Sequence, residues 1–345
     1  MFEAKGVATP ISEMKRILAV HPEYQKVIFP YIGGEEVNTS STHSHHRHVI
    51  NFSDRSEEEC RKRWPELMAI VEAKVRPDRE TQGSIVNPAR WWMFARSAAD
   101  LYAAITGIDR VLVISQVTQH ITFALLPSGM VYSHRLYVFP FESHSTFAVL
   151  QSRTHEIWAR FFGSSLEERF MYAAVDCFET FPFPEGWETH TALEDTGKAY
   201  YEFRAALMVR NNEGLTKTYN RFHDLDEREP DILKLRELHA AMDKAVLNAY
   251  GWGNIDTSCE FLLDYEIDEE EWGDRKKPWR YRWSDEIQAE VLARLLELNA
   301  ERAQSEARAG TGTEGLVQKG KMRGRKPRPG HESDSSPTLF DGDKH

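Results

Sequence analysis

The chain has 345 residues, 41% of them hydrophobic, and a formal net charge of −11. That length suits two globular domains, and no apolar run approaches the roughly 20 residues a membrane span needs. The first ten residues lack the apolar stretch of a signal peptide. Three widely spaced cysteines (Cys60, Cys177, Cys259) give neither a disulfide framework nor a zinc-ligand pattern, so a cytoplasmic, membrane-free location is expected.

The charge is uneven. Residues 21–184 carry 16 basic and 19 acidic side chains with nine of the 14 histidines, whereas residues 185–305 carry 16 basic and 27 acidic. The later region is therefore expected to face away from phosphates, and the earlier one is compatible with DNA without arguing for it.

In chain order, the Gly33-Gly34 pair after Phe29-Pro30 predicts a turn or loop over residues 31–38. Residues 49–52 suit a short strand. Pro65 fits the first turn of a helix running to Lys74, which Arg76-Pro77 would end. Ser97 is a candidate cap for a helix over 98–105 closed by Gly107. Strands are predicted over 110–116, 120–126 and 130–139, with a turn at Pro127-Ser128-Gly129. Helix follows over 145–162, breaks at Gly163-Ser164 and resumes over 166–175.

Beyond Pro184 the pattern is mostly helical. Residues 200–208 are helical by composition. Ile232, Leu235, Leu238, Met242 and Val246 form one apolar stripe between Pro230 and Gly251. Ile287, Val291, Leu295 and Leu298 form another, with Ser284 as N-cap. Between them residues 260–274 hold eight carboxylates and no basic residue, which reads as a solvated loop. From residue 306 the composition turns to Gly, Ser, Pro, Lys and Arg, and disorder is expected. The fold class is α+β: a mixed domain over 21–185, a helical domain over 186–305 and a basic tail over 306–345.

His43, His45, His46 and His48 surround Arg47. A His-rich loop supplies no fixed ligand geometry by itself, so no metal is assigned; near DNA, Arg47 would touch phosphate. No Gly-x-Ser-x-Gly elbow occurs, and Gly33-Gly34 is too short for a dinucleotide fingerprint. Asn87-Pro88-Ala89-Arg90 departs at its last two positions from the Asn-Pro-Pro-Tyr loop of amino-methyltransferases. No catalytic residue and no bound cofactor are expected in this chain.

A different signal lies between the strands. Gln116, Thr118, Gln119 and His120 gather where the first strand gives way to the second, and His134 and Arg135 interrupt the third. Gln pairs with adenine edges and Arg with guanine edges in the major groove; the same residues also suit a polar hairpin end on a half-exposed sheet. In the tail, Arg323-Gly324-Arg325-Lys326-Pro327 resembles an AT-hook with one inserted lysine, or is a generic basic arm.

Several segments, in order, resemble the MmeI-like family of DNA methyltransferases: residues 27–38 (VIFPYIGGEEVN), 75–79, Trp91-Trp92, 115–120, 150–158 and 178–184 (FETFPFP), then 213–224, 249–252 and 277–283. The resemblance implies a target recognition domain that selects sequence for adenine-N6 methylation of duplex DNA in restriction-modification or phage defence. The target adenine would be flipped into a methyltransferase domain that binds S-adenosylmethionine. In the family that domain precedes the recognition domain. Residues 1–20 are thus expected to be a remnant linker, and a separately encoded methyltransferase subunit is the expected partner beside duplex DNA. The implied base readers are Gln116, Thr118, Gln119, His120, His134 and Arg135, and the implied backbone contacts are Arg47, Arg153, Arg323 and Arg325. The alternative is a protein-interaction module, or an inactive fragment of a split methyltransferase gene.

Overall fold

The structure, a computed structural model, describes residues 8–81, 88–94, 97–166, 169–264 and 277–309. Residues expected as linker form helix α1 (Ile11–Val20), and its Ile17 is buried. Strand β1 (Ile28–Ile32), α2 (Gly34–Thr39), β2 (Arg47–Ile50), α3 (Glu57–Arg63), α4 (Pro65–Lys74) and α5 (Arg76–Thr81) follow. Ile17, Val27, Phe52, Trp64, Leu67 and Met68 close into an N-terminal core. Ser56 caps α3, its hydroxyl accepting from Glu59 N–H at 3.2 Å. The loop predicted over 31–38 is instead strand and helix. Glu36 makes that possible: its carboxylate accepts from the Gly33 N–H at 3.0 Å and satisfies a free donor at the start of α2. α4 ends at Lys74 as predicted, and Arg76-Pro77 then opens the separate short helix α5, since proline is tolerated in a first turn.

Helix α6 (Ala99–Ala104) has Ala98, not Ser97, as its N-cap. Then come β3 (Arg110–Ser115), β4 (Val117–Thr118), β5 (Ala124–Pro127), β6 (Val131–Tyr132) and β7 (Leu136–Phe139). β3 is the centre of an antiparallel β5–β3–β7 sheet. Val111 to Ile114 are fully buried, as a strand covered on both faces requires. β1 pairs antiparallel with β2 and parallel with β6, Tyr31 opposite Val131. The third predicted strand is therefore two, divided at residues 133–135, and the two halves belong to different sheets.

The predicted helix 145–162 is two helices, α7 (His144–Gln151) and α8 (Arg153–Phe162). Ser152 breaks them: its backbone is extended and its hydroxyl accepts from the His155 N–H at 3.4 Å. Residues 166–175, predicted helical, contribute instead to the hairpin β8 (Ser164–Leu166) and β9 (Arg169–Met171), with only α9 (Ala174–Cys177) helical. β9 joins β4, Val117 opposite Met171.

The later region supplies α10 (Thr191–Asn211), α11 (Leu215–Phe222), α12 (Pro230–Ala249), the hairpin β10 (Glu260–Leu263) and β11 (Trp279–Arg282), and α13 (Asp285–Ala309). The acidic run thus begins as a strand; residues 265–276 lie outside the described residues. Helix α10 lies against α7 at Gly197, where an added Cβ would stand 2.2 Å from the His144 carbonyl oxygen. One hydrophobic core runs from Ile32 through β3 and α7 to Val246 and Leu295, and Met1–Ala300 form one compact unit. Residues 301–309 belong to a second unit and are helical. Among the described residues no helix is long and apolar enough to cross a membrane.

Candidate nucleic-acid interface

Where β3 ends, Gln116 ties three segments together. Its backbone N–H donates to the Arg135 carbonyl at 2.9 Å, and its own carbonyl accepts from the Tyr172 N–H at 2.9 Å. Its side-chain amide donates to the His134 carbonyl at 2.7 Å. The 133–135 turn is held from the other side, because the Ser133 N–H donates to the Ile32 carbonyl at 2.9 Å. The two polar interruptions in the strand pattern are therefore neighbours in space.

They line an open groove of about 730 Å³. Gln116, Thr118, Gln119 and Arg135 contribute to it, joined by Glu35, Asn38 and Thr39 of α2, by Arg169 of β9 and by Thr216 of α11. Gln119, Arg135 and Arg169 are exposed, and neither arginine forms an ion pair among the described residues. Asn38 fixes α2 to the groove floor, its amide donating to the Ser115 hydroxyl at 3.1 Å. The wall thus offers two guanidinium groups, amide and hydroxyl groups, and one carboxylate.

Other predicted site residues lie elsewhere. His120 is buried, and its Nε2 donates to Asn220 Oδ1 at 2.7 Å while its ring stacks on His223 at 5.2 Å. Burial, then the charge of Arg280, lowers its pKa to about 4, so the ring is neutral and inward. Thr118 reaches the groove but is largely buried, its hydroxyl donating to the His120 carbonyl at 2.7 Å. His134 is exposed but does not line the groove. Arg47 is half-exposed and bound to Glu36, with Nε donating at 2.8 Å and Nη2 making a second bond to the same oxygen. Around it the histidines diverge: His43 Nδ1 donates to the Val37 carbonyl at 2.9 Å, and His45 meets His48 edge to face.

Arg153 corrects the expectation of a phosphate contact. Its side chain is 4% exposed and its Nη1 donates to Asp243 Oδ2 at 2.6 Å. Gln151, in the same stretch, is also internal: its Oε1 accepts from the Phe123 N–H at 3.0 Å and from buried Arg204 at 3.2 Å. These buried polar groups fix the scaffold behind the groove. Arg323 and Arg325 lie outside the described residues.

Arg169, Asn38 and Thr216 escaped the sequence reading. Arg169 fell in a predicted helix, and Thr216 lies in the region whose acidity argued against a role.

A sequence model of the MmeI target recognition domain matches residues 9–185. In fold, the chain is similar to the structure of the Type IIL restriction-modification enzyme MmeI in complex with DNA, at 21% identity and a TM-score of 0.53. That likeness covers 84% of this chain but 33% of the MmeI chain, so the protein spans about a third of its structural neighbour. None of the curated proteins compared with it matches. The matched segment runs through both polar interruptions and more than half of the sequence, and the chain belongs to the MmeI target recognition domain family.

Proposed function

We propose that this chain reads a short sequence in duplex DNA through the groove between α2, β4, β9 and the 133–135 turn. The observation that carries the reading is the convergence of Gln116, Gln119, Arg135 and Arg169 on one open surface in a member of a target recognition family. Arginine forms bidentate pairs with guanine O6 and N7, and glutamine with adenine N6 and N7; Glu35 would accept from cytosine N4. Gln116 and Ser133 hold the backbone of the 133–135 turn, which presents the exposed Arg135 side chain to the groove. Thr118 has the lesser role, its hydroxyl being engaged within the protein.

In this reading the recognised site directs adenine-N6 methylation by a methyltransferase domain that holds S-adenosylmethionine and receives the flipped base. Whether that domain belongs to the same polypeptide or to a partner subunit, the groove's task is to choose the register. Selection of binders from random duplexes by the 345-residue chain tests this. A short common sequence is the expected result, and recovery of unrelated sequences would refute it.

A further inference from the structure

The acid-rich region 185–305 reaches the groove at α11. Thr216 lines it directly, and Asn220, one turn on, holds His120 behind it at 2.7 Å. Helix α11 buries Leu215, Thr218, Tyr219 and Phe222, leaving Thr216, Lys217 and Asn220 on its outer side. Asn220 neighbours Thr216 at a spacing of four and Lys217 at a spacing of three, so exposed Lys217 shares the outer arc of α11 with the groove-lining Thr216.

Residues 214–223 contain no carboxylate although residues 185–305 contain 27. Of the other exposed cations there, Lys198 is paired with Glu202, Arg210 with Asp231 and Lys234 with Glu237, while Arg228 donates to the Leu225 and Glu227 carbonyls. Even Arg221, on the same helix, is bound to Glu213 at 3.2 Å and Glu227 at 2.6 Å. Lys217 is exposed and makes no ion pair among the described residues. It is also held in register with the opposite wall. Gly214, at the start of α11, packs so closely on Thr39 of α2 that an added Cβ would lie 2.3 Å from the Thr39 carbonyl carbon.

We propose that α11 is a second wall of the recognition groove and that Lys217 contacts a DNA phosphate. The proposal rests on the groove's being a DNA-reading surface, and extends it beyond the matched segment 9–185 into the helical region. An ammonium point charge suits phosphate, which positions the duplex without reading its sequence. With no carboxylate between Glu213 and Asp224 in sequence, and Glu213 paired with Arg221, a phosphate beside Lys217 meets little repulsion from α11 itself.

The test is a salt titration of the 345-residue chain against two labelled duplexes, the selected sequence and a scrambled one. Lys217→Ala should weaken binding to both several-fold and reduce the slope of log affinity against log salt by about one, with the preference between them unchanged. Lys217→Arg should keep the wild-type slope, and Lys234→Ala, which removes an already paired cation, should not alter it. If Lys217→Ala retains wild-type affinity and slope while Arg135→Ala loses the preference, the proposal is overturned and the recognition reading stands. If Lys217→Ala changes the preference itself, the contact is not to phosphate. If the wild-type chain binds neither duplex, both readings fall.

Discussion

Arg153 and Asp243 lie 90 positions apart in sequence, yet their side chains meet at 2.6 Å with exposures of 4% and 0%. His239 Nδ1 shares the carboxylate at 3.1 Å. Burial alone would raise the Asp243 pKa, but His239 and Arg153 outweigh it and hold the group below its ordinary value. Removing one member of such a pair strands the other charge in a dry interior. Arg153→Ala and Asp243→Ala should each cost about 3–5 kcal/mol in urea unfolding. Replacing both by apolar residues should recover part of that loss. A single variant as stable as the parent would contradict this account.

Buried histidines, His155 and His120 among them, make stability depend on pH. Burial lowers the pKa of His155 to about 3, and burial with Arg280 lowers that of His120 to about 4. In the unfolded chain both titrate near 6.5. Between about 6.5 and 4 the unfolded state therefore binds more protons than the native one, and stability falls as pH falls. It is fully present above pH 6.5, and each histidine contributes a slope of about 1.4 kcal/mol per pH unit within the window. Urea midpoints measured from pH 7.5 to 4.5 should decline, and His155→Phe should flatten the decline. An unchanged slope in that variant would remove His155 from the explanation.

Arg135 and Gln119 are exposed at different points of the groove and should read different bases. Arg135→Ala should relax discrimination at one position by about 1–3 kcal/mol, and Gln119→Ala at another. Competition binding with duplexes changed one base pair at a time separates them. Loss of affinity spread evenly over all sequences would instead assign both residues to the backbone.

Gly214 fixes the spacing of α11 and α2. Gly214→Ala places a Cβ against Thr39 backbone rather than a yielding side chain, so the helices must part. A cost of about 1–3 kcal/mol is expected from overpacking, together with weaker duplex binding. Thermal unfolding and anisotropy titration check both. A variant with unaltered melting would show that the two helices can separate freely.

Legibility in the sequence followed distance along the chain. The buried run of β3 and the proline-started helices α4 and α12 were readable because their signals are local. β9 was misread as helix: it is three residues long, its local partner β8 is as short, and its other partner, β4, lies far back in the chain. In the groove, Gln116, Gln119 and Arg135 announced themselves as polar breaks in apolar strands. Thr118 and His120 shared that pattern but turn inward, because the His120 carbonyl and Asn220 claim them. Arg153 looked like any cation on a polar helix until its distant carboxylate was in view. The helical region's acidity was correctly counted, but a regional sum conceals the acid-free stretch around Lys217.

The buried links between sheets and helices also decide how the protein can be divided. Asp243, Arg204, Asn220 and Glu194 all come from beyond residue 185, and they satisfy Arg153, Gln151, His120 and His144. A piece cut after Pro184 would keep the four groups and lose these partners, leaving Arg153 without its carboxylate and His120 without its amide. Grafting the groove onto another protein therefore requires carrying α10, α11 and α12 along with it.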